Sequence, residues 1–311
     1  MTVSVIIVAY NGVGHLELLI PSIQSQDVPG ASLEVILLDN ASSDGTSGWI
    51  KKNHPWIKLV ESDKNLKFVG GNNMAVKEAS GDIFLLLNQD VILAPGFIKE
   101  ALAAFEKFPD ASAVAVNVVF PNEMSVAEFT KAYPEDIPCR LFSLTAFGYA
   151  AYVPATMEYA PVNFLSGCGC FIKRSALQAG ELLFDPRLDA YAEDTELSLR
   201  LADRGVMMIF APRSALFHNQ SWKRRGLMEG FETMMKIAWN RFYAISIHTK
   251  PSAMPFKYLL LLAGVPLKSL SLRLAPLKTV SAFIAGLVVA AIFAPLFPYW
   301  FYVSVTRGKG A

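Results

Sequence analysis

The chain has 311 residues, of which 53% are hydrophobic and 18% charged, with a net charge of +1. This length suits one large domain with an appendage, or two domains. The balanced charge argues against a general nucleic-acid binder, which needs a basic surface. Three cysteines, Cys139, Cys168 and Cys170, are too few for a disulfide framework and indicate a reducing compartment.

Short apolar runs alternate with segments of helical spacing from the N-terminus to about Phe210. The β-branched run Val3–Ala9 predicts a buried strand. Further strands are predicted at Leu33–Leu38, Ile57–Glu61, Ile83–Leu87 and Ala113–Val119, and helices at Leu16–Ile23, Val69–Ala79 and Phe97–Phe108. Alternating units of this size predict an α/β fold with a mostly parallel sheet that is flanked by helices.

Polar segments follow three of the predicted strands, at the point where each strand ends. They are Tyr10-Asn11, Asp39-Asn40 and Asn88-Gln89-Asp90. Ligands on a sheet of this kind bind beyond the carboxyl ends of the strands. The sequence therefore predicts a ligand site at these three segments.

Each of these segments has a structural and a functional interpretation. The carboxylate of Asp39 can accept the imide N–H of uracil or thymine, but the stretch from Asp39 to Asp44 is equally an ordinary turn and helix cap. Gly70 and Gly71 open a helix whose N-terminus suits a pyrophosphate. Asp90 and its neighbouring carboxamides can hold a divalent metal, although a simple strand-end turn needs none.

Two adjacent carboxylates, Glu193 and Asp194, stand where a loop-rich region becomes a helix. Acidic residues in a first helical turn complement the helix macrodipole, so capping alone could explain them. Asp39 and Asp90 end earlier strands, and His218 ends a later one. Taken together, these residues indicate a nucleotide-sugar site.

The composition becomes strongly apolar near the C-terminus. Met254 to Lys278 combines leucine runs with basic residues, a pattern typical of a helix on an anionic membrane surface. Thr279 to Val305 carries no charge and is long enough to span a bilayer core, while Pro295 and Pro298 also allow a re-entrant hairpin. A buried core helix is the alternative, although it does not normally need so long a charge-free run.

Five motifs in order resemble the inverting family 2 glycosyltransferases with a GT-A fold, and more narrowly the rhamnosyltransferase and galactofuranosyltransferase branch. The motifs are Val5-Ile6-Ile7-Val8-Ala9-Tyr10-Asn11, Leu38-Asp39-Asn40-Ala41-Ser42-Ser43-Asp44-Gly45-Thr46, Gly70-Gly71-Asn72-Asn73, Leu87-Asn88-Gln89-Asp90 and Glu193-Asp194-Thr195-Glu196-Leu197-Ser198-Leu199-Arg200. The resemblance covers residues 3 to about 222. It implies a GT-A glycosyltransferase domain at 1–222. We expect a helical extension at 223–250 after this domain, and the composition predicts an amphipathic and hydrophobic membrane-associated segment at 251–311.

The resemblance also implies a role for each matching residue. The implied nucleotide-sugar site contains Ala9, Tyr10, Asn11, Asp39, Asp44, Gly70, Gly71, Asn72, Asn88, Gln89 and Gly167. Asp90 and His218 would hold Mg²⁺ or Mn²⁺. The family has Asp-x-Asp at residues 88–90, so Asn88 leaves Asp90 as the one carboxylate ligand. Asp194 is the implied catalytic base, with Glu193 beside it.

The implied reaction is a single in-line displacement by an acceptor hydroxyl, which inverts the anomeric configuration. The expected donor is dTDP-rhamnose or a UDP-sugar, and the expected acceptor is a lipid-linked saccharide in cell-surface polysaccharide synthesis. The membrane-associated segment favours the cytoplasmic face of the cell membrane, and no nucleic-acid partner is expected. The connection 120–163, rich in proline and aromatic residues, is interpreted as a flap on the acceptor side.

Two competing functions can be weighed on single residues. A dinucleotide-binding oxidoreductase has a glycine-rich phosphate-binding motif after its first strand. In this chain Glu17 occupies the position of the third small residue of that motif, and a glutamate there repels a pyrophosphate. A membrane-bound inactive protein that keeps the GT-A fold for binding or scaffolding is supported by Asn88 in the metal motif. The intact residues Asp90, Asp194 and His218 argue against this second alternative.

Overall fold

A computed structural model describes residues 1–219, 227–271 and 287–307 of the chain. The chain divides into two compact units. The first unit contains Met1–Ser143, Tyr152–Ala190 and Arg204–Gln220, and the second contains Leu144–Ala151, Tyr191–Asp203 and Ser221–Ala311. The predicted domain boundary at residue 222 lies outside the described residues, and the predicted boundary at residue 250 stays a prediction.

Among the residues described, nine strands of the first unit form one sheet in the order β3-β2-β1-β4-β10-β6-β11-β5, with β9 on β11. The strands of the chain are β1 Thr2–Ala9, β2 Ser32–Asp39, β3 Lys58–Glu61, β4 Ile83–Asn88, β5 Val91–Leu93, β6 Ala111–Val119, β7 Arg140–Leu144, β8 Ala150–Pro154, β9 Ala160–Pro161, β10 Gly169–Lys173 and β11 Met207–His218. The strands β1 to β4, β6 and β11 run in one direction, whereas β5, β9 and β10 are antiparallel to their neighbours. The predicted α/β fold with a mostly parallel sheet is confirmed.

The register of the parallel strands aligns the polar segments at one edge of the sheet. Ala9 at the end of β1 pairs with Asp39 at the end of β2. On the other side of β1, Val8 pairs with Asn88 at the end of β4. The loops that follow these three strands therefore begin side by side.

Helices α1 (Val13–Gln24), α2 (Thr46–Asn53), α3 (Lys67–Lys77) and α4 (Phe97–Lys107) connect the strands. In α1 the residues Leu16, Leu19, Ile20 and Ile23 are all buried, and their i, i+3, i+4, i+7 spacing is that of one helix face. Close packing of α3 requires Gly71, because a Cβ at this position would lie 2.7 Å from Cγ1 of Val8 in β1.

Strand β11 bends before it reaches the polar edge of the sheet. Its pairing with β6 shifts register between Ala211 and Ala215, and Pro212, which has no N–H to donate, lies in this irregular stretch. Beyond the bend, Leu216 to His218 pair with the antiparallel strand β5. Because His218 is paired with Val91, the histidine lies beside Asp90.

The connection 120–163 contains the short helix α5 (Val126–Phe129) and the β7–β8 hairpin. The rings of Phe120, Phe142 and Tyr152 pack together, with centroids 5.0–6.3 Å apart. The tip of the hairpin, residues 144–151, belongs to the second unit. A flap function for this connection stays a prediction.

The second unit contains α6 (Glu193–Asp203), α7 (Leu227–Ile247), α8 (Met254–Ser271) and α9 (Phe297–Arg307). Helices α6, α8 and α9 all contact α7. Phe242 of α7 lies at the centre of their packing, with ring centroids 5.2 Å from Tyr258, 4.9 Å from Phe293 and 6.0 Å from Trp300. The C-terminal helices therefore pack against the apolar side chains of α7 and form a hydrophobic core with them.

Within the described part of the chain, one helix is long and apolar enough to cross a membrane. Residues Leu287–Thr306 have a mean hydropathy of 1.7, and 22% of this stretch is buried. Length and composition alone qualify it, and a core helix of a soluble protein passes the same test. The predicted basic segment ends, and the predicted charge-free run begins, among residues 272–286, which lie outside the described residues.

Candidate active site

The loops after β1 and β2 are joined by hydrogen bonds between their polar groups. The backbone N–H of Ser43 donates to Asn11 Oδ1 over 2.8 Å, and the N–H of Asn11 donates to Ser42 Oγ over 2.9 Å. Asp44 accepts from the N–H of Val13 and from the hydroxyl of Thr46. Burial disfavours the charged form of Asp44, but these hydrogen bonds outweigh it and lower the pKa of the carboxyl group. The structure thus brings Asn11 and Asp44 together.

Asp39 and Tyr10 occupy the same strand-end edge. The buried carboxylate of Asp39 accepts from the N–H of Ser42 over 3.2 Å and from the hydroxyl of Ser47. The ring of Tyr10 is exposed, while its backbone N–H and C=O both bind the side-chain amide of Gln89, at 2.9 and 3.2 Å. Gln89 therefore ties the β4 end to the β1 end.

The beginning of α3 is fixed by Asn40. The Oδ1 atom of Asn40 accepts from the N–H of Leu66 over 2.7 Å, and its Nδ2 donates to the carbonyl of Lys67 over 3.1 Å. Asn72 turns its side-chain amide back onto its own helix, donating to the carbonyl of Phe68. Gly71 has the packing role described above. Ligand contacts of Gly70, Gly71 and Asn72 stay predictions.

Asn88, Asp90 and His218 lie close together where β4 and β11 end and β5 begins. His218 Nε2 lies 3.2 Å from Asp90 Oδ1 and 3.4 Å from the side-chain nitrogen of Asn88. The His218 ring packs against Phe120, with centroids 5.7 Å apart, and its side chain also contacts Cys168. Cys168 is in turn 3.0 Å from the hydroxyl of Ser166. Gly167, the remaining predicted residue of the donor site, lies between Ser166 and Cys168.

Asp90 and His218 affect each other's protonation. Burial alone would raise the pKa of Asp90, but the hydrogen bond and charge of His218 lower it below its usual value. Burial alone would lower the pKa of His218, but Cys168 and Asp90 outweigh it and raise that pKa to about 10. Asp90 and His218 thus each favour the charged form of the other.

The donor set fits a divalent cation. A carboxylate, an imidazole nitrogen and an amide oxygen are ligands that Mg²⁺ or Mn²⁺ accepts. The Oδ1 atom of Asn88 is buried and has no hydrogen-bond partner among the described residues, and a bound cation would satisfy it. No cluster of three His, Cys, Asp or Glu side chains that could hold a metal occurs in the described ranges. A cation held by Asp90 and His218 would take the amide oxygen of Asn88 as its third protein ligand.

In the second unit, Glu193 and Asp194 begin α6, as the sequence predicts. Leu197 and Leu201 of the same helix are buried and anchor it. Glu193 is also buried, whereas Asp194 is only partly so. Burial and the adjacent charge of Asp194 raise the pKa of Glu193 to about 8. Burial thus favours the protonated form of Glu193, and Asp194 is the more accessible of the two carboxyl groups.

Left-handed backbone conformations occur at the predicted site segments. The non-glycine residues with positive φ in the described ranges are Asn11, Ala41, Lys67, Tyr191 and Ala192. They lie after β1, after β2, at the start of α3 and immediately before Glu193. Such conformations are costly for residues with a Cβ and are concentrated at functional sites. Their positions support a functional interpretation of these loops.

Two polar residues of α7 that the sequence analysis did not identify contact the start of α6. Asn240 donates to the carbonyl of Tyr191 over 3.2 Å, and Arg241 donates to the hydroxyl of Thr195 over 2.5 Å. Both side chains of α7 are buried. The available signal was Arg241 itself, since it is the one charged residue in the apolar stretch from Ile237 to Ile247.

The sheet order and the strand-end loops define a nucleotide-sugar transferase fold of the GT-A type. The chain belongs to glycosyl transferase family 2, whose family model matches residues 4–180. It is therefore a glycosyltransferase, as predicted.

A curated relative is the N-acetylglucosaminyl-diphospho-decaprenol L-rhamnosyltransferase of Mycobacterium tuberculosis, 27% identical over 237 residues, which cover 70% of this chain and 76% of the relative. Among solved structures, GalNAc-T7 with UDP, GalNAc and Mn²⁺ has a TM-score of 0.60 at 16% identity, covering 79% of this chain and 48% of that one. The mannosyltransferase PcManGT from Pyrobaculum calidifontis, in complex with GDP-Man and Mn²⁺, has a TM-score of 0.55 at 20% identity, covering 98% and 84%. These structural likenesses confirm the GT-A fold.

Proposed function

We propose that this enzyme transfers a sugar, with inversion, from a UDP- or dTDP-sugar to a hydroxyl group of a lipid-linked saccharide. The observation that carries the proposal is the alignment of Ala9, Asp39 and Asn88 at one edge of the sheet, with Asp90 and His218 beside it. A parallel α/β sheet binds its ligands at this edge. The rhamnosyltransferase relative supports a lipid-linked acceptor, because its name includes a diphospho-decaprenol.

The nucleoside end of the donor is assigned to the loops after β1 and β2. Asp39 accepts the imide N–H of the base, which uracil and thymine share. Tyr10, Asn11 and Asp44 line the same pocket. The rigid hydrogen-bonded connection between Asn11 and Ser43 supports this assignment, since a preformed pocket orders less of the protein on binding.

The donor diphosphate is assigned to the neighbourhood of Asp90 and His218, which with Asn88 would hold Mg²⁺ or Mn²⁺. A cation bound there would supply positive charge to the departing nucleoside diphosphate. The unpartnered oxygen of Asn88 supports the assignment on structural grounds. The two structural neighbours solved with Mn²⁺ support it by analogy of fold.

Asp194 is assigned as the general base. Its carboxylate accepts the proton of the acceptor hydroxyl while the hydroxyl oxygen forms a bond to the anomeric carbon. The bond from that carbon to the donor diphosphate breaks in the same displacement, so the nucleoside diphosphate leaves and the configuration inverts. The partial exposure of Asp194, beside a buried Glu193 whose pKa is raised, supports this choice.

A donor panel tests the proposed function directly. Purified enzyme is incubated with dTDP-rhamnose, UDP-galactofuranose and other UDP-hexoses, with and without a polyprenyl-diphosphate saccharide. We expect release of free dTDP or UDP from one donor, dependent on acceptor, and a product with inverted anomeric configuration by NMR. The Asp194→Asn variant measures the background hydrolysis. Retained configuration, or no turnover of any nucleotide sugar, would contradict the proposal.

We further propose that residues 251–311 hold the enzyme on the cytoplasmic face of the membrane. Phe256 and Leu259 of α8 are 69% and 65% exposed, and Tyr302 of α9 is 65% exposed. Lys250 precedes α8 in the sequence, as expected for contact with anionic lipid, whereas the ammonium of Lys257 donates to the carbonyl of Ala146 over 3.0 Å. An exposed set of large apolar side chains of this kind is typical of a membrane-contacting surface.

We expect Phe256→Glu combined with Leu259→Glu to weaken binding to vesicles of phosphatidylglycerol and phosphatidylcholine by at least about tenfold. The substitutions replace two apolar side chains that insert into lipid with charges that anionic lipid repels. Vesicle flotation measures the bound fraction. Leu18→Glu, on the exposed side of α1, is the matched control and should bind like the wild type. Equal binding of the double variant and the wild type would contradict anchoring by α8.

Truncation before Pro251 is a less specific test of the same anchor. We predict from the sequence that the shortened chain becomes soluble and keeps its nucleotide pocket. The structure adds a complication, because truncation also removes Phe293 and Trp300 from the core around Phe242. Point substitutions at exposed positions leave that core intact.

A further inference from the structure

Arg241 of α7 is a buried cation that contacts the first turn of α6. Its Nη1 atom donates to Thr195 Oγ1 over 2.5 Å. The Thr195 hydroxyl lies 3.4 Å from Asp194 Oδ1, which also accepts the backbone N–H of Thr195 over 2.7 Å. A continuous set of contacts therefore runs from the guanidinium to the carboxylate assigned as the base.

The guanidinium of Arg241 is held from its other side by Tyr149. The guanidinium carbon lies 4.9 Å from the centroid of the Tyr149 ring, a cation–π distance. Gly264 of α8 leaves room for this ring, since a Cβ on Gly264 would lie 2.8 Å from Tyr149 Cε2. Arg241 is thus fixed between a ring and a hydroxyl, and has little freedom to reorient.

Arg241 is a buried cation that acts on both carboxyl groups at the start of α6. Among the described residues, Asp194 on α6 and Lys236 and Arg241 on α7 act electrostatically on Glu193, while Asp194, Glu193 and Tyr149 on the hairpin tip act on Arg241. Burial lowers the pKa of Arg241, while Asp194, Tyr149 and Glu193 oppose that change. A guanidinium keeps its charge in proteins, so Arg241 favours the ionised form of the pair.

The hydrogen bonds of Arg241 do not by themselves explain why its side chain is buried. Among the described residues, its Nε atom and the Oε2 atom of Glu193 are buried without a hydrogen-bond partner. Burying charged groups that are incompletely bonded costs stability, so their retention requires another reason. The preceding residue, Asn240, binds the carbonyl of Tyr191, which has a left-handed φ of 69°. Adjacent side chains of α7 thus hold both sides of the α6 start.

We propose that Arg241 is a positioning residue, which acts through Thr195 to orient the carboxylate of Asp194 and to keep it ionised for proton acceptance. This inference rests on the proposed role of Asp194 as the base. Arg241 itself touches neither donor nor acceptor in the proposal. Its removal should therefore affect turnover and the pH dependence of turnover, with little effect on the KM for the donor.

The test compares Arg241→Gln and Arg241→Lys in the full-length enzyme. Loss of the cation raises the pKa of Asp194, so the acidic limb of the kcat–pH profile should move to higher pH in Arg241→Gln, by about one unit. Arg241→Lys keeps a charge and should leave the limb near its original pH while lowering kcat. Arg200→Gln is the matched control, because Arg200 pairs with Glu196 on the same helix and its loss should not move the limb.

Thr195 gives a second test that does not depend on removing a buried charge. Thr195→Val should lower kcat about tenfold, since it removes a hydrogen bond to a charged group, and Thr195→Ser should restore it. The inference would be overturned if Asp194→Asn loses turnover but folded Arg241→Gln keeps the acidic limb of its kcat–pH profile at the wild-type pH. A normal kcat in Thr195→Val would overturn it in the same way. If Asp194→Asn is fully active, the proposed base itself is wrong.

Discussion

Replacement of Asp194 by Asn is expected to lower turnover by a factor on the order of 10²–10⁴, the usual contribution of a positioned base. The amide keeps the shape of the carboxylate and removes its basicity. The KM for the donor should barely change, because Asp194 is assigned to the acceptor hydroxyl. Steady-state kinetics at saturating donor, with folding checked by circular dichroism, measures the effect.

Glu193→Gln is the matched control for this expectation. Adjacent residues of a helix point about 100° apart, so Glu193 and Asp194 cannot both face one hydroxyl. Burial raises the pKa of Glu193 to about 8 and so favours its protonated form, which an amide resembles. Glu193→Gln should therefore cost much less turnover. Near-normal turnover in folded Asp194→Asn would assign the base elsewhere, with Glu193 as the next residue to test.

The sheet was predictable because its signals are local. The run Val3–Ala9 matches β1, and Ile83–Leu87 matches β4 to within one residue. Both are largely buried runs that are followed by polar residues. Parallel strands end at a common edge, so the predicted strands also place Asp39 and Asn88 at the same edge of the sheet, on either side of β1. These features follow from burial and strand direction alone.

The pairing of distant strands could not be predicted in the same way. Strand β10 inserts antiparallel between β4 and β6, although it follows both in the chain. The hairpin β7–β8 lies in the proline-rich connection 120–163, where the sequence analysis predicts no strand. No local periodicity specifies which edge such segments join, because the choice depends on the packing of the whole unit.

In the candidate site, too, features with a local sequence signal were predictable, whereas contacts between distant residues were not. Tyr10, Asp39 and Asp90 were predicted from their strand-end positions, whereas the contact between Arg241 and Thr195 joins residues 46 positions apart. Gly71 was predicted to approach a ligand, and the structure shows that it is needed for packing against Val8. A glycine in a sequence indicates close approach without identifying what approaches it.

The metal assignment leads to the second large effect. Asp90→Ala is expected to abolish metal-stimulated transfer, a loss of at least about 10²-fold, since even partners that merely orient a ligand contribute 10- to 100-fold. Treatment of the wild type with EDTA should have a similar effect. Titration with Mn²⁺, followed by electron paramagnetic resonance, measures binding without relying on turnover, and Asp90→Ala and His218→Ala should both weaken it.

Two further variants make the metal prediction specific. Asp110→Ala removes an exposed carboxylate from a turn of the same unit and should change neither Mn²⁺ binding nor turnover. Asn88→Asp supplies the second carboxylate that this chain lacks, so it should tighten Mn²⁺ binding because a charged oxygen replaces a neutral one. The cation then competes more strongly with the ion pair that Asp90 makes with His218. Full activity in EDTA, together with unchanged Mn²⁺ binding in Asp90→Ala, would remove the metal from this site and leave His218 as the counter-ion of Asp90.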